Sequence, residues 1–411
     1  MLKLVEGLKI LFFIFTAIVS FLKIFLSLFY NSCFLITCAI TFGFYFYVAL
    51  KQKKLYGGLI EKPLPNFSKS FVIGLFFSSF LSFMFSFWYF PILQKETFSI
   101  VGATLFLSLI NLRFLDVTYT IPLFTVINYF FKNNISVKYF FAKYLDFGFL
   151  NLNIFEINYN IWLLFALAIF LLKSFLIRFD FKSGNLPIVL KDKDKDYNGF
   201  STTKLWPFPL LILTPEGLTF VPLISSFSYV IVSLPIERQR RLFSTLHLFI
   251  GILLFLLYFV VFNRDVLITS LLLLFSNGLI LFLIFFFKNF KKPLYVSYSK
   301  GLKVLATLYN SPARVMGIKT GYIIERVNGV RIYDLFELEK VVKDAAFCKI
   351  EVLDENLDRH IMQKALYEND PANLGIIGAI SHYKNYRFKN DINSGKVILT
   401  DGIEEDNLQK V

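Results

Sequence analysis

The only imidazoles in this chain of 411 residues belong to His247, His360 and His382. A zinc protease working inside a membrane needs H-E-x-x-H, two histidines one helical turn apart with a glutamate base. No histidine here has that setting. His247 sits in STLHLFIG with no Glu or second His nearby and fits a polar residue at a helix interface. A Ser-His-Asp hydrolase would require its own β-rich catalytic domain, and the soluble part of the chain is too short for one. There is no phosphate-binding P-loop. Cys33 and Cys38 share one apolar segment while Cys348 stands alone, so the cysteines fit small apolar fillers better than a disulfide framework or a metal cage. These residues point away from an enzyme and imply no cofactor. The remaining chemistry lies in charges set in or near apolar runs: Arg113, Asp116, Glu216 and Arg264. Such charges are candidates for a transport path. Each falls at the end of a predicted span, where snorkelling is the cheaper reading.

The elements that carry these residues are membrane helices. With 56% hydrophobic residues, 53 Phe and 18% charged residues, the chain is not an ordinary soluble protein. Runs such as LLFALAIFLL and LITSLLLLFSNGLILFLIFFF approach or exceed the roughly 20 apolar residues that cross a bilayer as helix. The first run, Leu8 to Leu22, follows Lys3 and Lys9 like a signal peptide. No small-residue cleavage site follows it, which predicts a retained helix.

Two helices fit between Leu8 and Leu50, a third over Phe71 to Ile92, and others over Asn160 to Ile177, Leu242 to Phe262 and Val266 to Phe287. Thr97 to Phe131 reads as two short spans or one span with a polar bend. Residues 132–156 fit an interfacial segment with Lys138 and Lys143 snorkelling. The stretch KLWPFPLLILTPEGLTFVPLISSF carries Pro207, Pro209, Pro215 and Pro222, which break a single helix. It predicts a helical hairpin or re-entrant pair over 205–236, within a region of about eight spans.

Charge orients this region. From Ser297 onward, 16 Lys and Arg balance 16 Asp and Glu, so the whole net charge of +14 lies in the membrane part. A neutral soluble region argues against nucleic acid as a partner. The basic membrane part argues for anionic lipid headgroups. Arg238, Arg240 and Arg241 precede the last helical pair and Lys288, Lys291 and Lys292 follow it, which predicts a cytoplasmic C-terminal region. Lys132, Lys138 and Lys143 conflict with a simple alternation of spans. The expected organisation is a multispan region over 1–292, a small α+β domain over 293–383 and a polar tail over 384–411.

Beyond Ser297 the pattern is that of a folded domain. GLKVLATLY (301–309) alternates like a half-buried strand and ends at Asn-Ser-Pro. One helical turn fits Ala313 to Met316. Gly321 to Val327 reads as a strand closed by the Asn328-Gly329 turn. Asp334 is a fitting N-cap for DLFELEKVVKDAA, whose Leu335, Leu338, Val342 and Ala345 share one face. CKIEVLDENLDRHIMQKAL predicts two strands about a polar turn.

Ser311, Pro312, Ala313, Gly317, Ile318, Gly321, Ile323, Ile324, Asn328 and Gly329, in this order and spacing, resemble a PDZ domain. Met316 and Tyr322 depart from the usual pattern at turn positions. The resemblance implies an extended peptide added to a sheet edge beside the long helix, its terminal carboxylate held by backbone N–H groups. Leu374, Gly375, Ile376 and Ile377 look like a permuted carboxylate loop, with Leu338, Val341, Val342 and Ala345 walling the groove. The same loop serves equally well as a last core strand. The stretch 346–379 and the KLWPFPLLIL segment are similar to the MinJ-type multispan scaffolds of Firmicute bacteria. That resemblance implies a plasma-membrane scaffold recruiting cell-division proteins of the Min system and a polar scaffold. A transporter or sensor with a regulatory PDZ domain is the alternative.

Overall fold

The computed structural model describes residues 19, 32–133, 157–180, 184–191, 196–215, 217–260, 265–289, 294–295, 300–343, 345–354, 356–367, 370–371, 373–379, 386–390 and 397–401. The helix expected over Leu8 to Leu22, Val19 excepted, the interfacial segment from residue 134 and the residues Glu216, Arg264 and His382 lie outside that set. Helices α1 (Ser32–Tyr56), α2 (Pro63–Phe85), α3 (Gln94–Ser108), α4 (Val117–Phe131), α5 (Tyr159–Asp180), α6 (Ile236–Val260) and α7 (Val266–Asn289) form the N-terminal unit. Five of them, α1, α2, α5, α6 and α7, are long and apolar enough to cross a membrane. The ambiguous stretch is two short helices: α3 and α4 have 15 residues each, about 22 Å, less than the hydrocarbon core. A 3₁₀ turn over Leu112–Leu115 joins them.

Between α5 and α6 the expectation of a helical hairpin fails. Strands β1 (Leu186–Lys191), β2 (Asp196–Thr214) and β3 (Gly217–Ile231) form an antiparallel sheet. β2 and β3 pair without a slip from Phe200↔Ile231 to Thr214↔Gly217, a ladder roughly 50 Å long. The prolines that exclude a helix are compatible with a strand edge, because a proline lacks only the donor. Pro209 faces Pro222 across the ladder, and Pro207 lies two residues away, on the same outward row of β2.

An open sheet edge at membrane depth needs partners for its backbone, and α2 supplies them to β2. Ser70, Gly74, Ser78 and Ser82 recur every fourth residue along one buried stripe of α2. Four helical residues rise about 6 Å and two strand residues about 6.7 Å, so the two rows stay in step. Tyr45 bridges Ser70 to the Leu205 carbonyl, and Ser78 donates to the Pro209 carbonyl. Leu211 N–H donates to Ser82 Oγ at 2.9 Å, and Phe90 N–H to the Leu213 carbonyl at 2.9 Å. At Gly74 a Cβ would lie 2.5 Å from the Pro207 oxygen, which explains the glycine.

The β3 edge is closed by Asp116, the N-cap of α4. One carboxylate oxygen accepts from Thr118 N–H at 2.8 Å and the other from Ser226 N–H at 2.7 Å. Lys173 of α5 lies 3.0 Å from the same carboxylate, and both side chains are buried. The snorkelling expected of Asp116 is thus replaced by a buried cap and ion pair. One end of α5 carries a second pair, Asp180 with Lys204 at 3.3 Å, joined by Trp206 Nε1 at 2.7 Å. Pro122 inside α4 frees the Thr118 carbonyl, and Asn277 of α7 donates to it at 3.0 Å. His247 is fully buried between Phe170 and Phe227 and bonds the Phe243 carbonyl, a helix-interface residue.

The C-terminal α+β domain holds a six-stranded antiparallel sheet: β4 (Leu302–Thr307), β5 (Ile323–Val327), β6 (Val330–Arg331), β7 (Phe347–Leu353), β8 (Arg359–Ala365) and β9 (Ile376–Gly378), in the order β8-β7-β5-β4-β9 with β6 on β5. Its helices are α8 (Pro312–Val315) and α9 (Leu335–Val342). Asn328 and Gly329 both take positive φ in the β5–β6 turn, and Asp334 caps α9 by accepting from Glu337 N–H at 2.8 Å. Within the expected tail, β10 (Tyr386–Asn390) and β11 (Val397–Asp401) pair as a separate hairpin.

Candidate partner-binding edge of the C-terminal domain

β9 is an edge strand of the sheet, and the turn that leads into it is the predicted loop. Leu374 and Gly375 both have positive φ, 56° and 72°. Ala313 N–H donates to the Leu374 carbonyl at 3.1 Å and Leu308 N–H to the Gly375 carbonyl at 2.8 Å, tying the turn to the Ser311-Pro312-Ala313 corner. At Gly375 a Cβ would lie 2.2 Å from the Ser311 Cβ. The glycine therefore serves the close packing of this corner, whereas the sequence suggested an open approach for a ligand.

The predicted site residues converge, but as core. Leu374, Ile376, Leu338 and Val342 share one apolar cluster and are all nearly inaccessible. Val341 is half-buried against that cluster. Ala345 lies past the end of α9, its N–H bonded to the Val342 carbonyl at 3.1 Å. Ile377 turns the other way and packs with Ala379 and Leu305 on the core of the membrane unit, near Tyr295. Leu335 closes the space between α9 and β9, since a Cβ on Gly378 would sit 3.1 Å from its Cγ.

The amides expected to cradle a carboxylate already donate within the loop. Leu374 N–H reaches the Pro371 carbonyl at 2.8 Å, Gly375 N–H reaches Asn373 Oδ1 at 3.0 Å, and Ile376 N–H reaches the Asn373 carbonyl at 2.9 Å. In this state an internal amide oxygen holds a donor that a ligand would use. Asn373 heads the loop read from the sequence, but its part as an internal acceptor was not read there, although an Asn two residues before a positive-φ glycine is a turn signal. Glu339 was also missed. It is half-buried on α9, one turn beyond Leu335, and burial raises its carboxyl above the ordinary range. The Cys348 thiol is buried and pushed up to about 11, which leaves it an inert filler.

The domain is fastened to the membrane unit by the loop between α1 and α2. Tyr309 N–H donates to the Leu59 carbonyl at 2.6 Å and Arg314 Nη1 to the Ile60 carbonyl at 2.5 Å. Lys303 Nζ donates to the Leu294 carbonyl at 3.0 Å. The same end of the bundle gathers Lys53 and Lys54, Lys69 on Asp180, and Arg240 on the Arg178 carbonyl at 3.0 Å.

Among known proteins, the chain is similar to the cell division topological determinant MinJ of Bacillus subtilis (strain 168), with 33% identity over 87 residues. The match covers 21% of this chain and 22% of MinJ, so the chain spans about a fifth of the curated relative it matches. No family model matches the chain, and no solved structure matches it.

Proposed function

We propose that this protein is a multi-pass plasma-membrane scaffold whose C-terminal PDZ-like domain faces the cytoplasm and recruits cell-division proteins, without catalysing a reaction. The observation that carries the reading is the 33% identity over 87 residues with a division topological determinant, in a chain that also has five helices fit to cross a membrane. The strand order, the Asn328-Gly329 turn and the capped α9 support a peptide-adding module. In this reading β9 accepts an extended segment beside α9. The closed groove then describes the unliganded state: a ligand displaces the Asn373 amide oxygen, and Leu335 moves aside to pack against the ligand's apolar side chain. The basic end of the bundle beside the domain supports a cytoplasmic orientation.

The test uses the full-length protein in cells. A reporter fused after Val411 should be active only in the cytoplasm, and Leu335→Asn should abolish septal enrichment of the Min proteins at unchanged abundance of the scaffold. Recruitment that persists in Leu335→Asn and in Glu339→Lys would place the binding surface elsewhere.

A further inference from the structure

Two cations and one ring meet where the membrane unit touches the domain. Lys62 Nζ lies 4.6 Å from the Tyr309 ring centroid, and the Arg314 guanidinium carbon lies 5.6 Å from it. Lys53 and Lys54, both exposed, stand in the last turn of α1 just before this loop. Among the described residues, no carboxylate lies within ion-pair distance of any of the four. Glu61, adjacent in sequence to Lys62, accepts from Gly184 N–H at 2.9 Å instead. The joint is thus basic and lacks a neutralising side chain, although like charges so placed repel.

Its depth points to the missing partner. α1 ends and α2 begins here, so the joint lies where apolar spans give way to water. Leu55 and Leu64 beside it are 42% and 62% exposed, and the outer faces of α1 and α2 continue with exposed Leu50 and Val72. A group that accepts hydrogen bonds from Lys and Arg while extending apolar chains along those faces is a phospholipid.

We propose that an anionic phospholipid headgroup binds at this joint, between Lys62 and Arg314, and that it sets how firmly the domain is docked. The phosphate neutralises the cations around Tyr309, and the loop carbonyls of Leu59 and Ile60 then hold β4 and α8 in place. Leu308 carries the effect inward: its side chain lies 3.0 Å from where a Gly58 Cβ would be, and its N–H holds the Gly375 carbonyl. Lipid identity therefore reaches the turn that opens β9. The inference rests on the membrane reading and is independent of what the domain recruits.

The Tyr309 amide, bonded to Leu59, is the reporter. Full-length protein is placed in nanodiscs of phosphatidylcholine alone or mixed with phosphatidylglycerol, and hydrogen exchange of the segment containing Tyr309 is compared. The expected result is slower exchange with phosphatidylglycerol, reduced roughly fivefold by Lys62→Gln. Arg314→Gln loses the Ile60 bond as well and should exchange faster in both lipids. The Lys62 side chain caps nothing in α2, and its contact with the Tyr309 ring is lost equally in both lipids, so the difference between lipids in Lys62→Gln isolates the headgroup effect. Equal exchange in the two lipids, or a lipid effect untouched by Lys62→Gln, overturns the proposal. Equal protection by free glycerol phosphate over phosphatidylcholine discs would assign the site to a soluble phosphate and overturn the lipid as its ligand.

Discussion

Replacing Gly74 by alanine tests whether the serine stripe of α2 holds the buried hairpin. In a helix interior this substitution gains up to about 1 kcal/mol from propensity alone. At Gly74 the new Cβ would stand 2.5 Å from the Pro207 oxygen and 3.2 Å from the Trp206 Cβ, so α2 must retreat by roughly 1 Å. That retreat stretches the bonds from Ser78 to Pro209 and from Leu211 to Ser82, which lie one and two turns beyond Gly74. Polar contacts between elements in membranes contribute about 0.6–1.7 kcal/mol each. Losing two, with the overlap itself, outweighs the propensity gain and leaves a net loss of about 1–2 kcal/mol. Gly43 of α1 is the matched control, because nothing lies within 4 Å of a Cβ there. Steric-trapping measurements of unfolding in bicelles would compare the two. Equal stability of Gly74→Ala and Gly43→Ala would refute the account of how the β2 edge is satisfied.

Lys173→Met should destabilise the membrane unit by about 3–5 kcal/mol, since it strands the buried Asp116 carboxylate; the double change Asp116→Asn with Lys173→Met should recover part of that loss, as read by thermal aggregation in detergent. In the β7–β8 turn the Asp354 carboxyl is held below its ordinary range by the Asp358 N–H and further by His360 and the Asn356 N–H. A depressed acid stabilises the fold above its unfolded value, so this turn should loosen as pH falls through the depressed value. Amide NMR shifts of Asn356 and Asp358 should follow that titration, and Asp354→Asn should remove it. Gly375→Val should unfold the domain corner against Ser311, seen as loss of β4 and β9 exchange protection, and cooperative unfolding at wild-type temperature would contradict the packing described.

Much of the C-terminal domain was legible because its signals are local. Asn328-Gly329 can adopt the two positive φ values the turn needs, and Asp334 precedes an apolar face at helical spacing. The domain's burial was less legible. A groove wall and a core face have the same residue types, so Leu338 and Val342 gave no sign that Leu335 closes over β9. In the membrane unit, a continuous apolar run cannot be divided between helix and strand by periodicity. Pro207, Pro209 and Pro222 were read as breaks in a helix, whereas Pro207 and Pro209 share the parity of one donor-free edge of β2 and Pro222 lies opposite Pro209 on β3. Lys173 and Lys204 were invisible as core residues because their partners, Asp116 and Asp180, are chosen by the tertiary fold.

The hairpin between α5 and α6 also constrains the order of biogenesis. A strand released into lipid with unsatisfied edges is unstable, so β2 and β3 cannot insert as an independent unit in the way a single apolar helix can. Both sets of edge partners, Ser70 to Ser82 on α2 and Asp116 before α4, precede the hairpin in the chain. They emerge from the ribosome first. The hairpin thus enters a cleft already lined with its hydrogen-bond partners, and a chain in which α2 was moved behind α7 would have to insert the same hairpin with no partner waiting.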